Sequence, residues 1–174
     1  SCGYNNLTSL DVSNNTALTS LNCNYTYLTS LDVSQNTALT NLECKVHYTD
    51  LDTLDVSNNT ALTNLNCSNS LLTNLDVSNN IALVTLDCSY NQITSLDVSN
   101  NTALEVLYCE NNQLTSLDIS NNTALTYLCC TDNQITSLNI SNTDITSTRD
   151  PNGVDVLFTN NPLVNINITN NNQL

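Results

Sequence analysis

The chain has 174 residues, with 16 Asp or Glu against 2 Lys or Arg and a formal charge of -14. So acidic a chain lacks the cations that neutralise phosphate, which excludes nucleic acid and anionic membrane surfaces as partners. No apolar run approaches the ~20 residues of a membrane span, so no membrane insertion is expected.

Charged residues make up only 10% of the chain, and Asn, Thr and Ser supply the remaining polarity. That composition is common in secreted repeat proteins. No signal peptide is visible and the first residue is Ser1, so the chain reads as processed or excised.

From the first coil onward, cysteine sets the period. Cys2, Cys23, Cys44, Cys67, Cys88, Cys109 and Cys130 follow one another at steps of 21, 21, 23, 21, 21 and 21 residues. Every one after the first closes a Leu-x-x-Leu-x-Cys phrase, as in Leu18-x-x-Leu21-x-Cys23. A fixed period of this length predicts a solenoid of identical small coils, with the cysteines in one column along its axis.

A complete unit runs from Leu83 to Ala103 and holds two half-units, Leu-x-x-Leu-x-Cys-x-x-Asn and Leu-x-x-Leu-x-Val-x-x-Asn. Alternation across Leu-x-Cys and Leu-x-Val marks short strands with one face inward. Val, Ile and Thr favour strand over helix, and no stretch carries a 3.6-residue period. The expected fold is a mainly β repeat solenoid. Parallel strands lie on the cysteine side, and the valine side is a second short-strand or extended face; two parallel sheets are favoured. At about 4.7–4.9 Å per coil, roughly seven and a half coils make one domain, residues 1–174, of about 35–40 Å.

Each half-unit ends on a turn asparagine. Asn91, Asn112 and Asn133 follow cysteines; Asn15, Asn36, Asn59, Asn80, Asn101 and Asn122 follow the valine or isoleucine. A buried amide has the donors and acceptor to satisfy the backbone of a turn and of the next coil. Thr26, His47 and Ser70 replace this asparagine in the early coils, and two residues are added near 46–54. A second insertion covers 144–153. A last unit resumes at Val154-x-x-Leu157-x-Thr159, where Thr159 stands for the cysteine. Neither end reads as a cap, which points to flanking domains or to end-to-end self-association.

The segments 86–99, Leu-Asp-Cys-Ser-Tyr-Asn-Gln-Ile-Thr-Ser-Leu-Asp-Val-Ser, and 107–120, Leu-Tyr-Cys-Glu-Asn-Asn-Gln-Leu-Thr-Ser-Leu-Asp-Ile-Ser, carry a resemblance. They resemble the short cysteine-containing leucine-rich repeats of internalin-type bacterial surface adhesins. The resemblance covers nearly the whole chain. It implies a non-enzymatic binding or adhesion module, extracellular or on the cell surface, with a protein or glycan ligand.

Four sets of residues are candidates for chemistry. The cysteine column Cys2, Cys23, Cys44, Cys67, Cys88, Cys109 and Cys130 reads as a structural ladder of buried core residues. Parallel side chains do not approach as disulfides require, and a line of thiols is not a tetrahedral cage. Cys129 alternates with Cys130, so it is expected to point outward as an exposed, oxidisable thiol.

Asp11, Asp32, Asp55, Asp76, Asp97 and Asp118, continued by Asn139, form a solvent-facing column on the valine side. Mutual repulsion is expected to raise some of their pKa values. The column is read as a solubilising edge. The sharper alternative is calcium, mineral or ice binding, with Asp55, Asp76, Asp97 and Asp118 as the calcium candidates. No other cofactor is expected. A uniform array contains no acid that differs from its neighbours, and His47 near Asp50 and Asp52 has no nucleophile elbow, so no enzyme is expected.

The fourth set lies on the outward positions of the cysteine-side sheet. These are polar in the early coils and apolar or aromatic in the last three. Val106, Tyr108, Tyr127, Cys129, Val156 and Phe158 are therefore expected to form an exposed ligand-binding patch. The competing expectation is that the insertion at 144–153 folds over and buries them.

Overall fold

A computed structural model describes residues 1–46, 51–143, 145, 159–167 and 169. Among these there is no helix, and nine three-residue strands carry the regular structure. In chain order they are β1 (Ser20–Asn22), β2 (Asn41–Glu43), β3 (Asn64–Asn66), β4 (Thr85–Asp87), β5 (Val106–Tyr108), β6 (Ser116–Asp118), β7 (Tyr127–Cys129), β8 (Ser137–Asn139) and β9 (Asn165–Asn167). Strands β1, β2, β3, β4, β5 and β7 form one parallel sheet on the cysteine side, and β6, β8 and β9 form a second on the valine side. The favoured two-sheet arrangement therefore holds only in the later coils. Earlier valine-side segments run without strand pairing, which matches the extended alternative.

Register is kept coil after coil. The central leucines Leu21, Leu42, Leu65, Leu86, Leu107 and Leu128 stand opposite one another along the first sheet. Their side chains point inward and join the cysteines and valines in one continuous core. The two-residue insertion does not disturb this register. Asn41 still pairs with Asn64, and Leu51 already accepts the N–H of Leu71 just as Leu72 accepts that of Gln92. The extra length therefore falls between Cys44 and Leu51 in the chain.

The last coil is shifted from its expected alignment. The N–H of Asp132 donates to the Thr159 carbonyl at 3.0 Å, as that of Asn111 donates to the Thr131 carbonyl. Asn161 Oδ1 accepts the Ile135 N–H, as Asn133 Oδ1 accepts that of Leu114. Thr159 therefore aligns with Thr131, one position past the ladder, and does not replace a cysteine. The Leu-x-Thr phrase resembles Leu-x-Cys in residue type alone. The turn asparagines, which bear the hydrogen bonds, define the alignment.

Buried amides stitch the coils together. On the valine side Asn36, Asn59, Asn80, Asn101 and Asn122 are almost wholly enclosed. Each Nδ2 donates to two carbonyls of the preceding coil; for Asn101 these are Val77 at 3.0 Å and Asn80 at 2.9 Å. On the cysteine side Asn112 Nδ2 donates to Cys88 and Cys109, and its Oδ1 accepts the N–H of Ile93. One side chain thus serves the main chain of two coils, as the burial of backbone polar groups requires.

Asn101→Ala removes two buried donors from carbonyls that keep one partner each. The expected loss is about 1–3 kcal/mol of stability, read as a lower urea midpoint with an unchanged β-type circular dichroism spectrum.

Candidate functional site: the cysteine-side face

Each strand of the first sheet ends one residue before the cysteine. The cysteine N–H and Sγ–H then turn to the same carbonyl of the following coil. Cys23 reaches the Glu43 carbonyl with N at 2.8 Å and Sγ at 3.5 Å. Cys44 does the same to Asn66, Cys67 to Asp87, Cys88 to Tyr108 and Cys109 to Cys129, with Sγ at 3.4–3.6 Å. Cys2 begins the series on Asn22 and is partly exposed. All eight cysteines are free thiols. Burial pushes the thiols of Cys44, Cys67, Cys88, Cys109 and Cys130 well above their ordinary range, and that of Cys23 up to about 12. A thiol that stays protonated is neither a nucleophile nor a metal ligand.

Cys129 departs from its expected place on the surface: it is 6% exposed. It does alternate with Cys130, but its outward position is walled in. Tyr108 stands opposite it in the sheet, Thr131 Oγ1 is 3.9 Å from its sulfur, and Glu110 lies alongside. Burial first, and the Glu110 carboxylate second, push this thiol up to about 12. It is not an exposed, oxidisable group.

The expected patch is only partly assembled within the described residues. Val106, Tyr108 and Tyr127 are half-buried on the outer face of β5 and β7. The rings of Tyr108 and Tyr127 meet diagonally across the strands, with centroids 5.0 Å apart at 45°. Burial raises the Tyr108 phenol and likewise the Glu110 carboxyl, whose Oε2 is buried without a hydrogen-bond partner. Val156 and Phe158 lie outside the described residues, as do His47, Asp50 and most of the 144–153 insertion. The rest of the face is polar. Glu43 accepts from Asn22 at 2.5 Å and Asn24 at 2.7 Å, and Asp87 accepts from Asn66 at 3.1 Å.

The aspartate column follows a different rule from the one expected. In Asp11, Asp32, Asp55, Asp76 and Asp97 the carboxyl pKa is lowered, not raised. The serine two residues on is the cause: its hydroxyl and its N–H both favour the carboxylate, the N–H lying 2.9 Å from Oδ1. Those bonds outweigh repulsion between groups that are fully hydrated. Asp118 makes the same turn with Ser120 at 3.0 Å. The calcium candidates Asp55, Asp76, Asp97 and Asp118 thus each serve their own turn. Among the described residues no three or more His, Cys, Asp or Glu side chains converge as a metal site.

Sequence reasoning missed one group, the tyrosines at the corner after Cys2, Cys23 and Cys88. The signal that reveals them is positional. Asn69, Asn111 and Asp132, residues suited to a left-handed turn, share an offset from the cysteine with Tyr4, Tyr25 and Tyr90.

Stacked coils with inward leucines, a parallel sheet and asparagine corners define a leucine-rich-repeat solenoid. Residues 81–122 and 102–140 match the family described as leucine rich repeats, two copies. The chain is similar to the functional domain of InlJ from Listeria monocytogenes, a structure that includes a cysteine ladder. Identity is 32% and the TM-score 0.58, over 95% of this chain and 47% of that one. An internalin, inlF, of the same organism matches at 21% identity and a TM-score of 0.65, over 95% of this chain and 52% of that one. A leucine-rich-repeat protein of Leptospira interrogans matches at 18% and 0.55, over 92% and 62%. The last two likenesses are of fold alone. The chain spans about half the length of the two Listeria structures. A search of curated protein sequences finds no match. Among the described residues no helix is long and apolar enough to cross a membrane.

The thiols give a direct readout of the buried column. In native protein at pH 8, an aromatic disulfide reagent should titrate Cys2 alone, and the other seven only after unfolding in urea. Alkali should destabilise the fold. The unfolded Cys23 thiol ionises near 9.0 but the folded one near 12, so the unfolded chain releases its proton first. The stabilisation is complete below pH 9.0 and is lost as pH rises towards 12. A falling urea midpoint over that interval is the expected result.

Proposed function

We propose that this chain is a non-enzymatic binding or adhesion module of a secreted or cell-surface bacterial protein, and that it holds a protein ligand against its cysteine-side sheet. The observation that carries this reading is the Tyr108–Tyr127 pair on an otherwise amide- and carboxylate-lined sheet face. Half-buried aromatic side chains on a rigid surface give large contact area at low cost in conformational entropy, which is why they anchor interfaces. The similarity to the InlJ functional domain supports the same reading.

The test is capture of purified extracellular-matrix proteins by the immobilised chain. Tyr108→Ala combined with Tyr127→Ala should weaken capture by about tenfold or more, with the solenoid's circular dichroism spectrum retained. Undiminished capture by a folded double variant would place the ligand elsewhere.

A further inference from the structure

Six of the seven corners that follow a ladder cysteine take the left-handed backbone conformation, the one after Cys44 being the exception. Two residues past the cysteine, Tyr4, Tyr25, Asn69, Tyr90, Asn111 and Asp132 have φ between 53 and 59°. Asn and Asp enter this region readily, whereas a bulky side chain there is an outlier. Tyrosine nevertheless occupies three of these six corners. Tyr25 is half-buried, but Tyr90, inside the array, is 51% exposed, so burial does not offset the strain there. Strain kept at a solvent-facing position points to a use for the ring outside the fold.

The rings are organised. Tyr4 and Tyr25 stack across neighbouring coils, with centroids 4.6 Å apart and planes 31° from parallel. The Lys45 ammonium, one coil further on, lies 5.5 Å from the Tyr25 centroid. Tyr27, on the same coil as Tyr25, is also exposed. Pinned polar groups stand beside the stack. Glu43 Oε2 accepts from Asn22 and Asn24, and Asn24 Oδ1 accepts the Lys45 N–H at 2.9 Å. Carboxylate, amide and ammonium each keep unused acceptor or donor capacity.

We propose that this tyrosine corner is a glycan-binding site, separate from the Tyr108–Tyr127 face and independent of the protein-binding reading. It takes a neutral hexose polymer. The C–H faces of the sugars lie on the tyrosine rings, and their hydroxyls bond Glu43, Asn24 and Lys45. Aromatic rings set among fixed amides and a carboxylate match a sugar's alternation of C–H face and hydroxyl edge. Charge selects the neutral class, since a chain of net charge -14 with Glu43 at the site repels uronate and sulfate. Tyr90 selects a polymer over a single sugar. It stands three coils beyond Tyr25 on the same corner, roughly 14 Å along the axis.

The experiment is calorimetric titration of the intact chain with cellohexaose, mannohexaose and N-acetylated chitohexaose, and with an oligogalacturonate as the anionic control. At least one neutral hexamer should bind, and the oligogalacturonate should not. Tyr4→Asn combined with Tyr25→Asn suits the left-handed corner, so the melting temperature should hold or rise while affinity falls about tenfold or more. Tyr108→Ala with Tyr127→Ala should leave glycan affinity unchanged. The proposal is overturned if no neutral hexamer binds the unaltered chain, if the Asn double variant binds as well as the parent, or if oligogalacturonate binds best.

Discussion

Every coil must hand its buried corner carbonyls to a donor, and the rest of the structure depends on how that is done. The solution is a side-chain amide placed once per half-turn. Asn101 and its counterparts reach back to the preceding coil, and Asn112 and its counterparts both reach back and accept in return. Without these amides the cysteine-side corners would bury unpaired N–H groups such as that of Ile93, and each valine-side carbonyl would lose one of its two partners. Thr26 shows what a weaker substitute achieves: its hydroxyl serves only its own turn, through Cys23. Such replacements fall beside the two-residue insertion, where the coil departs from the common pattern.

The cysteine column follows from the same economy. A small side chain is needed where the sheet meets the corner, and a thiol adds a weak donor to a carbonyl that already accepts the cysteine N–H. Six successive carbonyls are shared in this way. The result is a buried, protonated and chemically quiet column. Any recognition falls to the side chains that face away from it.

Much of this was legible in the sequence because the period is strict. The coils, the inward leucines, the turn asparagines and the strand positions all follow from residue type and offset. What was not legible depends on neighbours across coils. Alternation alone puts Cys129 on the surface, but it cannot report that Tyr108, Thr131 and Glu110 close around it. Proximity of carboxylates suggests raised pKa values. The Asp-x-Ser turn, itself readable as a local hydrogen-bonding motif, reverses the sign. The alignment of Thr159 depends on the hydrogen bond of Asn161 to Ile135, which the hydrophobic phrase before it does not reveal. The tyrosine corner stayed hidden because tyrosine carries no signal for a left-handed turn.

The two ladders donate in opposite directions. Thiols and cysteine amides give to the following coil, while asparagine amides give to the preceding one. The two flat sides of a coil therefore differ in chemistry: one is met by thiols and the other by side-chain amides. Within the array each coil joins the next in one sense, head to tail.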